Sequence, residues 1–350
     1  MPPNACGPTS VTKAYCGATE ISKGYCGSNL FFSSAPPTVP IPTRSSSAGA
    51  GDGTSGIIVG GWVGANNNDA YSYSIANNLV TSHLLTPTNA PAARYDHAMV
   101  GDATSGLLFG GTTTTAVGDL YTYSVSGGNI TWTRQSATDA GRSGARIVGT
   151  PSSGLIFFGV NSSGSYQGSV RRYTRSGSTY SFSSVLNYGN VYGSQRRRSQ
   201  FGIAGTTASG IIFGGRIPGS GGVSNSIYRY AATGNNLTWS RLTLSGTRPP
   251  ARRQPGMVGT ATSGIIFGGR SGGSARYNDA YSYSVSGSTI TITALTVVGT
   301  ISARSSFVML GSGTGGIVFS GSPSGTAGNL FQRYARSGST ITWTALQYAS

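Results

Sequence analysis

The chain has 350 residues, of which 9% are charged and 55 are glycine. Its 19 Tyr, 12 Phe and 4 Trp recur between Gly and Ser clusters, a pattern typical of many short β-strands joined by tight turns and not of a disordered chain. No stretch has sustained helical periodicity or the ~20 apolar residues that a membrane span requires. We therefore predict a soluble all-β protein that does not insert into a membrane.

The net charge of +16 comes almost entirely from arginine, since Lys13 and Lys23 are the only lysines. A surface of this charge attracts nucleic acid, acidic glycans or anionic protein faces. The first residues contain no basic start followed by an apolar stretch, so the sequence as given predicts no ordinary secretory signal.

Residues 1–41 are predicted to form an extended arm outside the main domain. A decapeptide repeat places Cys6, Cys16 and Cys26 ten residues apart, each before a glycine, and a Pro-rich segment at 36–42 is typical of a stiff spacer. Ten extended residues span ~33 Å, so consecutive cysteines cannot pair unless the arm folds back. Two interpretations stay open: intermolecular disulfides that hold an assembly together, or reduced thiols in a tail.

Residues 42–350 contain one unit repeated six times. Each copy has a small residue and a glycine, then apolar residues, then a closing glycine. The first glycines are Gly56, Gly106, Gly154, Gly210, Gly264 and Gly316, and the closing ones are Gly61, Gly111, Gly159, Gly215, Gly269 and Gly321. A repeat of about 50 residues is typical of propellers and solenoids.

Two aromatic positions follow in each unit. The first is always tyrosine: Tyr73, Tyr123, Tyr173, Tyr230, Tyr283 and Tyr334. The second is occupied by Trp132, Phe182, Trp239, Ile292 and Trp343, with Thr81 in the first unit. Each unit thus has four strand-sized segments, a to d.

A single four-stranded sheet cannot bury both of its faces, whereas six sheets arranged around an axis cover one another. We predict a six-bladed β-propeller of four-stranded antiparallel blades. We expect the ring to close by contact between blades 1 and 6, and residues 29–32 are a candidate extra edge strand.

The repeat resembles the kelch family in its double glycine after an apolar strand, its tyrosine strand and its later tryptophan. The double glycines are Gly60-Gly61, Gly110-Gly111, Gly214-Gly215 and Gly268-Gly269, whereas Phe158-Gly159 and Ser320-Gly321 lack the first glycine. The resemblance covers about residues 42–350 and implies a kelch-like propeller. It also implies that the arginine opening strand a lies near one mouth of the channel, where kelch partners bind.

An arginine lies 12 residues before the first glycine of every unit. These are Arg44, Arg94, Arg142, Arg198, Arg252 and Arg304. A repeated position traces a circle in a propeller, so six guanidinium groups should surround the axis. Either they form a ring that binds carboxylate, sulfate or phosphate, or each caps carbonyl groups at a blade junction.

Three further basic clusters lie in blades 3 to 5: Arg171-Arg172, Arg196-Arg197-Arg198 and Arg252-Arg253. Nucleic-acid binding is one use of such clusters, but no recognised motif accompanies them, so solvated loops or a subunit interface are favoured. Asp69, Asp119 and Asp279 each open a tyrosine strand, and we interpret them as turn-capping residues.

Signals for an enzyme are poor. The chain has 8 acidic residues and 2 histidines, His83 and His97, which are isolated, so few groups are available for acid–base or metal chemistry. We predict no catalytic residues, no metal and no cofactor.

The preferred hypothesis is a non-enzymatic component of a virion, such as a bacteriophage tail, fibre or capsid-decoration protein. It would form oligomers with other virion proteins or with itself through residues 1–41, and present the propeller to an anionic host glycan or protein. The alternative is a cellular or extracellular kelch-type propeller that binds protein or carbohydrate.

Overall fold

The computed structural model describes residues 14–16, 19–21, 23–26, 29–33, 38–136, 139–188, 197–219, 222–323 and 331–349. These residues form β-strands joined by turns and irregular segments. Within those ranges no helix has the length and apolar character needed to cross a membrane.

The arm contains two short antiparallel hairpins. The first pairs β1 (Ala14–Cys16) with β2 (Thr19–Ile21), and the second pairs β3 (Lys23–Cys26) with β4 (Asn29–Ser33). Each hairpin is a separate two-stranded sheet. The arm therefore folds back on itself locally and is not extended throughout.

Six sheets follow. Blade 1 contains β5 (Ala48–Gly51), β6 (Ser55–Trp62), β7 (Asn66–Ala76) and β8 (Leu79–Leu84). Blade 2 contains β9 (Thr86–Thr88), β10 (Ala98–Gly101), β11 (Ser105–Phe109), β12 (Leu120–Ser126) and β13 (Asn129–Arg134). Blade 3 contains β14 (Arg146–Gly149), β15 (Ser153–Phe157), β16 (Val170–Ser176) and β17 (Thr179–Ser184).

Blade 4 contains β18 (Leu186–Tyr188), β19 (Gly202–Gly205), β20 (Ser209–Phe213), β21 (Ile227–Thr233) and β22 (Asn236–Arg241). Blade 5 contains β23 (Thr243–Gly246), β24 (Gly256–Gly259), β25 (Ser263–Phe267), β26 (Ala280–Ser286) and β27 (Thr289–Ala294). Blade 6 contains β28 (Thr296–Val298), β30 (Val308–Gly311), β31 (Gly315–Phe319), β33 (Phe331–Ser337) and β34 (Thr340–Ala345), and a short ladder beside it joins β29 (Arg304–Ser305) to β32 (Ser322–Pro323).

In every blade four consecutive strands pair antiparallel, in the order a-b-c-d. Strand b is apolar and buried on both faces, as expected for the middle of a stacked sheet. The a strands contact one another around the axis from blade 1 to blade 6 and back to blade 1. The prediction of a six-bladed all-β propeller is confirmed.

Among the residues that the structure describes, five of the six blades also have a fifth strand, which the sequence did not predict. After strand d, the chain runs on to the next blade and pairs parallel with strand d of that blade, as β9, β18, β23 and β28 do. The chain end does the same: β35 (Gln347–Tyr348) pairs parallel with β8 of blade 1. This pairing closes the ring.

The predicted role of residues 29–32 as an extra edge strand is wrong. Strand β4 pairs with β3 within the arm, and β35 occupies the outer edge of blade 1. The closure is reinforced by the Tyr348 hydroxyl, which accepts a hydrogen bond from the Ile41 amide at 3.1 Å.

Six hydrophobic clusters fill the six interfaces between neighbouring blades. One of them joins Ile58 and Tyr73 of blade 1 to Ile317 and Phe331 of blade 6. Burial of this apolar surface is the main stabilising term for such a stack.

The shared tyrosine explains the first glycine of each repeat. Each hydroxyl donates to a carbonyl in the turn between strands a and b, for example Tyr123 to Asp102 at 2.7 Å. The ring passes over the glycine so closely that a Cβ on Gly106 would lie 2.4 Å from the Tyr123 hydroxyl. Tyr73 pairs with Ser82, so the predicted Thr81 is wrong by one residue.

Candidate functional site

The six arginines of the repeat lie inside the protein, each between 0% and 2% exposed. In every blade Nη1 donates to the carbonyl 16 residues later, at distances of 2.7–3.2 Å. The acceptors are Gly60, Gly110, Phe158, Gly214, Gly268 and Ser320. That carbonyl comes directly after strand b in blades 2 to 6 and lies near the end of the longer β6 in blade 1, so the arginine ties the segment before strand a to the end of strand b.

This geometry agrees with the second interpretation of the sequence, in which each repeat arginine caps backbone carbonyl groups. Burial lowers the pKa of Arg198 and of Arg304 to about 10, which leaves both guanidinium groups charged at neutral pH. An anion in the channel would have to reach donors that the fold already uses. Anion binding by the whole ring stays a prediction.

Several of these arginines have a carboxylate partner. Arg94 makes two bonds to Asp119, at 2.6 and 3.1 Å, and Arg252 makes two bonds to Asp279. From the sequence alone these aspartates are expected to cap turns; the signal that points to the arginine instead is their position four residues before the shared tyrosine. In blade 3 a different acidic residue pairs with the repeat arginine. Asp139 accepts hydrogen bonds from Arg142 and from Arg171, both at 3.0 Å.

One mouth of the axial channel is lined by a ring of six residues, each two positions after a repeat arginine. They are Ser46, Asp96, Gly144, Gln200, Gln254 and Ser306. All have left-handed φ angles between 52° and 63°. In five links the amide of one blade donates to the carbonyl of the blade before it, at 2.6–2.9 Å, including Ser46 to Ser306.

This backbone ring was not visible in the sequence, because the position accepts Ser, Asp, Gly or Gln. A left-handed conformation costs free energy for residues other than glycine, and the hydrogen bonds between blades offset that cost. A side-chain bridge also crosses the mouth, where Gln200 Nε2 donates to Asp96 Oδ2 at 2.8 Å.

Below the mouth the a strands of all six blades enclose a cavity of about 210 Å³. Met99, Ile147, Met257 and Leu310 are among the apolar side chains of its lining, which also presents polar surface. Arg146 is the one charged residue in this lining; burial lowers its pKa, and Asp96 acts in the opposite direction.

Four arginines gather on one side of the same mouth, and we call them the basic mouth cluster: Arg216, Arg253, Arg270 and Arg276. Backbone bridges join Arg253 to Arg270 and Arg270 to Arg276, and Arg216 occupies in blade 4 the place of Arg270 in blade 5. Burial and then the charges of Arg270 and Arg216 lower the pKa of Arg253. The four guanidinium groups therefore repel one another.

The fold makes little use of this cluster. Arg276 donates to the Ser322 hydroxyl at 2.8 Å, but the buried Nε atoms of Arg253, Arg270 and Arg276 have no hydrogen-bond partner among the described residues. No ion pair between described residues includes any of the four. The sequence identified Arg253 through the Arg252-Arg253 pair, but it did not predict that the other three arginines of the cluster lie close to Arg253.

The opposite side of the mouth is aromatic. Trp62 follows the double glycine of blade 1, in the position that Arg216 and Arg270 have in their blades, and it is 47% exposed. Its ring meets that of Tyr95 edge-to-face, with the centroids 6.0 Å apart. The mouth thus carries positive charge over blades 4 and 5, and over blades 1 and 2 it carries the exposed Trp62 beside the half-buried Tyr95.

The remaining predicted residues do not join this site. Arg171 bonds Asp139, Arg172 donates to the Gly234 carbonyl, and Arg196 lies outside the described residues. Cys16 and Cys26 lie in the arm strands β1 and β3, and Cys6 lies outside the described residues, so the intermolecular disulfides stay a prediction. Within the described ranges no group of three His, Cys, Asp or Glu side chains could hold a metal ion.

Comparison with known proteins adds support at the level of the fold. No protein-family model matches the chain, and no curated protein matches its sequence. Among solved structures 212 chains match, and one of them is the structure of YjhT, with a TM-score of 0.66. The match covers 88% of this chain and 99% of that one at 14% identity, so this chain is similar to YjhT in its propeller fold alone.

Proposed function

We propose that this protein is a non-enzymatic binding propeller of the kelch type that meets an anionic partner at its channel mouth. The observation that carries the proposal is the basic mouth cluster. Holding four positive guanidinium groups close together costs free energy, and these groups make few hydrogen bonds with the rest of the protein. Arginine forks suit the oxyanions of carboxylate, sulfate and phosphate groups, so an anionic partner would relieve the repulsion.

A test compares two variants of equal net charge on immobilised heparin, a sulfated polymer. One variant changes the four mouth arginines to glutamine. Its matched control changes Arg134, Arg175, Arg229 and Arg336, which lie on strands c and d. We expect the mouth variant to elute at markedly lower NaCl than the wild type, and the control to elute close to it.

Equal shifts in both variants would mean that retention follows net charge and not the mouth, and the proposal would be overturned. Circular dichroism and the thermal midpoint of each variant establish that the propeller has folded. Single-stranded oligonucleotide in place of heparin checks the partner class, since preferential retention on nucleic acid would argue against a glycan or protein partner.

Within this proposal the favoured setting is a virus particle, such as a phage tail, fibre or capsid decoration, in which residues 1–41 mediate assembly. The support is that the propeller closes its own ring through β35, which leaves the arm hairpins outside the blades. Antibody labelling of purified particles in negative stain tests the setting, and absence of label would remove it. Non-reducing gels of the wild type and a Cys6, Cys16 and Cys26 to serine variant test the arm.

The second candidate is a cellular or extracellular propeller that binds protein or carbohydrate. The exposed Trp62 beside Tyr95 favours it, because an aromatic face with low conformational entropy is suited to stacking against a ligand. Under this candidate, deletion of residues 1–37 leaves binding at the mouth unchanged.

A further inference from the structure

One arginine of the axial cavity departs from the repeat. Arg146 lies four residues after the repeat arginine Arg142 and is the charged residue of the cavity lining. The other five blades have small or apolar residues at this position: Ala48, Ala98, Gly202, Gly256 and Val308. Strand a therefore forms without a charge at this position, and the arginine is not required by the blade.

Most of the hydrogen-bond donors of Arg146 are not used by the fold. Its Nη1 donates to the Ala145 carbonyl at 3.1 Å, and the guanidinium makes no other hydrogen bond and no ion pair with a described residue. Protein surrounds the group closely enough that burial lowers its pKa, yet the side chain keeps some accessible surface, which adjoins the cavity. Because a guanidinium has five N–H donors and stays protonated in proteins, Arg146 presents positive charge and unused donors to the cavity.

A nearby carboxylate acts on this charge without pairing with it. The charge of Asp96 raises the pKa of Arg146, but the two side chains do not form an ion pair. Asp96 Oδ2 instead accepts a hydrogen bond from Gln200 Nε2 at 2.8 Å. A partly buried charge without a directly paired counter-charge costs free energy. A carboxylate that reached the guanidinium from the cavity would supply that partner.

The apolar part of the lining is suited to an aliphatic group. Met99, Met257 and Met309 line the cavity from blades 2, 5 and 6, and they are three of the four methionines in the chain. Methionine side chains are flexible and polarizable, so they adapt their packing to an apolar ligand. The volume of about 210 Å³ is below the ~300–1,000 Å³ of drug-sized sites, so the ligand has to be small.

We infer that the axial cavity binds a short-chain aliphatic monocarboxylate. The carboxylate accepts hydrogen bonds from Nε and Nη2 of Arg146, in the fork arrangement that guanidinium and carboxylate groups prefer. The hydrocarbon chain packs against the three methionines. One negative charge matches the one positive charge of the lining, so this site goes beyond the function proposed for the mouth, where four arginines face the partner.

The probe is butyrate, titrated at constant ionic strength into protein labelled with ¹³C at the methionine methyl groups. Since Met1 is the only other methionine, the methionine spectrum reports on the cavity. We expect saturable shifts of the Met99, Met257 and Met309 signals, with a dissociation constant of about 1 mM or lower. Absence of saturable shifts at 10 mM butyrate (roughly ten times that limit) overturns the proposal.

Two related compounds test the two halves of the ligand. Butyramide has a similar shape but no charge, so it should bind at least tenfold more weakly than butyrate. Acetate has the charge but lacks two methylene groups, so it should bind about tenfold more weakly. Equal binding of butyramide would contradict recognition by the arginine, and equal binding of acetate would contradict recognition by the methionines.

The decisive variant is Arg146→Gln, which removes the charge and the fork. It should reduce butyrate affinity at least tenfold and should fold like the wild type, because it removes a charge that the fold does not pair. The matched control is Arg175→Gln, at an exposed position of the same blade, which should leave the affinity unchanged. Asp96→Asn removes the negative charge that competes with the ligand, so it should raise the affinity about two- to fivefold. Wild-type affinity in Arg146→Gln would show that this guanidinium does not hold the ligand.

The result is separable from the test of the proposed function. Arg146→Gln leaves all four residues of the basic mouth cluster in place, so its heparin retention should match that of Arg175→Gln. Loss of butyrate binding with unchanged heparin retention identifies two sites. The mouth variant should bind butyrate within about twofold of the wild type, since its substitutions lie outside the cavity lining.

Discussion

Arginines occupy two kinds of position in this propeller, and they differ in what surrounds the guanidinium group. The repeat arginines are at most 2% exposed, and each donates to a carbonyl at the end of strand b or directly after it. The arginines of the basic mouth cluster are partly exposed, repel one another and form no ion pair with a described residue. The first kind recurs in all six blades, whereas the second is confined to blades 4 and 5.

The difference teaches where to look for function in a repeat protein. A residue that every copy contains is used by every copy, and here the use is to join the segment before strand a to the end of strand b. A residue that departs from the repeat, such as Arg270 where blade 1 has Trp62, is not required by the blade. Asymmetry around the ring is therefore the better guide to a binding surface.

The sharpest test of this contrast compares Arg94→Met with Arg253→Met. The first change leaves the Asp119 carboxylate and the Gly110 carbonyl without their buried partner, so we expect a loss of about 3–5 kcal/mol in the free energy of unfolding. The second removes a charge that its neighbours repel, so stability should change by less than about 0.5 kcal/mol or increase. Urea denaturation measures both, and comparable losses would erase the distinction.

The second prediction concerns ring closure, in which blades 1 and 6 take part and the mouth cluster of blades 4 and 5 does not. Deleting residues 347–350 removes the pairing of β35 with β8 and the bond from the Ile41 amide to the Tyr348 hydroxyl. With about 1 kcal/mol for each hydrogen bond lost, stability should fall by roughly 2–4 kcal/mol. Amide hydrogen exchange should accelerate first in blades 1 and 6, and uniform acceleration would contradict closure by this strand.

A third comparison uses glycines. A Cβ on Gly106 would lie 2.4 Å from both the Val100 carbonyl oxygen and the Tyr123 hydroxyl, whereas one on Gly273, in the loop between Arg270 and Arg276, meets nothing closer than 3.8 Å. Because packing at the first position is close, Gly106→Ala should cost about 1–3 kcal/mol. Gly273→Ala should be nearly neutral in thermal unfolding. A large loss at Gly273 would mean that the mouth loop is as constrained as the repeat.

The sequence predicted the fold from features that all six copies share. In each copy an arginine and two glycines at fixed offsets, followed by a tyrosine 17–20 residues after the first glycine, define the blade without any long-range information. What it could not predict depends on contacts between blades: the parallel fifth strand, the left-handed ring at the mouth, and the approach of Arg216 to Arg253. The strands β9, β18, β23, β28 and β35 share no residue pattern, because parallel addition to an outer edge uses backbone groups.

The smallest expected effect at neutral pH belongs to His97, which is 3% exposed and occupies the position of Phe201 and Phe307 in blades 4 and 6. Burial, and then the charge of Arg94, lowers the pKa of His97 to about 3. The unfolded chain protonates this imidazole near pH 6.5, so its neutral form stabilises the fold fully above that pH and the contribution is lost as pH falls toward 3.

The variant His97→Phe should therefore unfold like the wild type at pH 7 and resist acid better. Between pH 6 and 3 the difference between the two proteins should grow by up to about 1.4 kcal/mol per pH unit, measured by urea denaturation at each pH. Parallel pH profiles would show that this histidine is accessible to protons in the folded state. They would also show that the fold accommodates His97, at the position where blades 4 and 6 have phenylalanine, without shielding its imidazole from solvent.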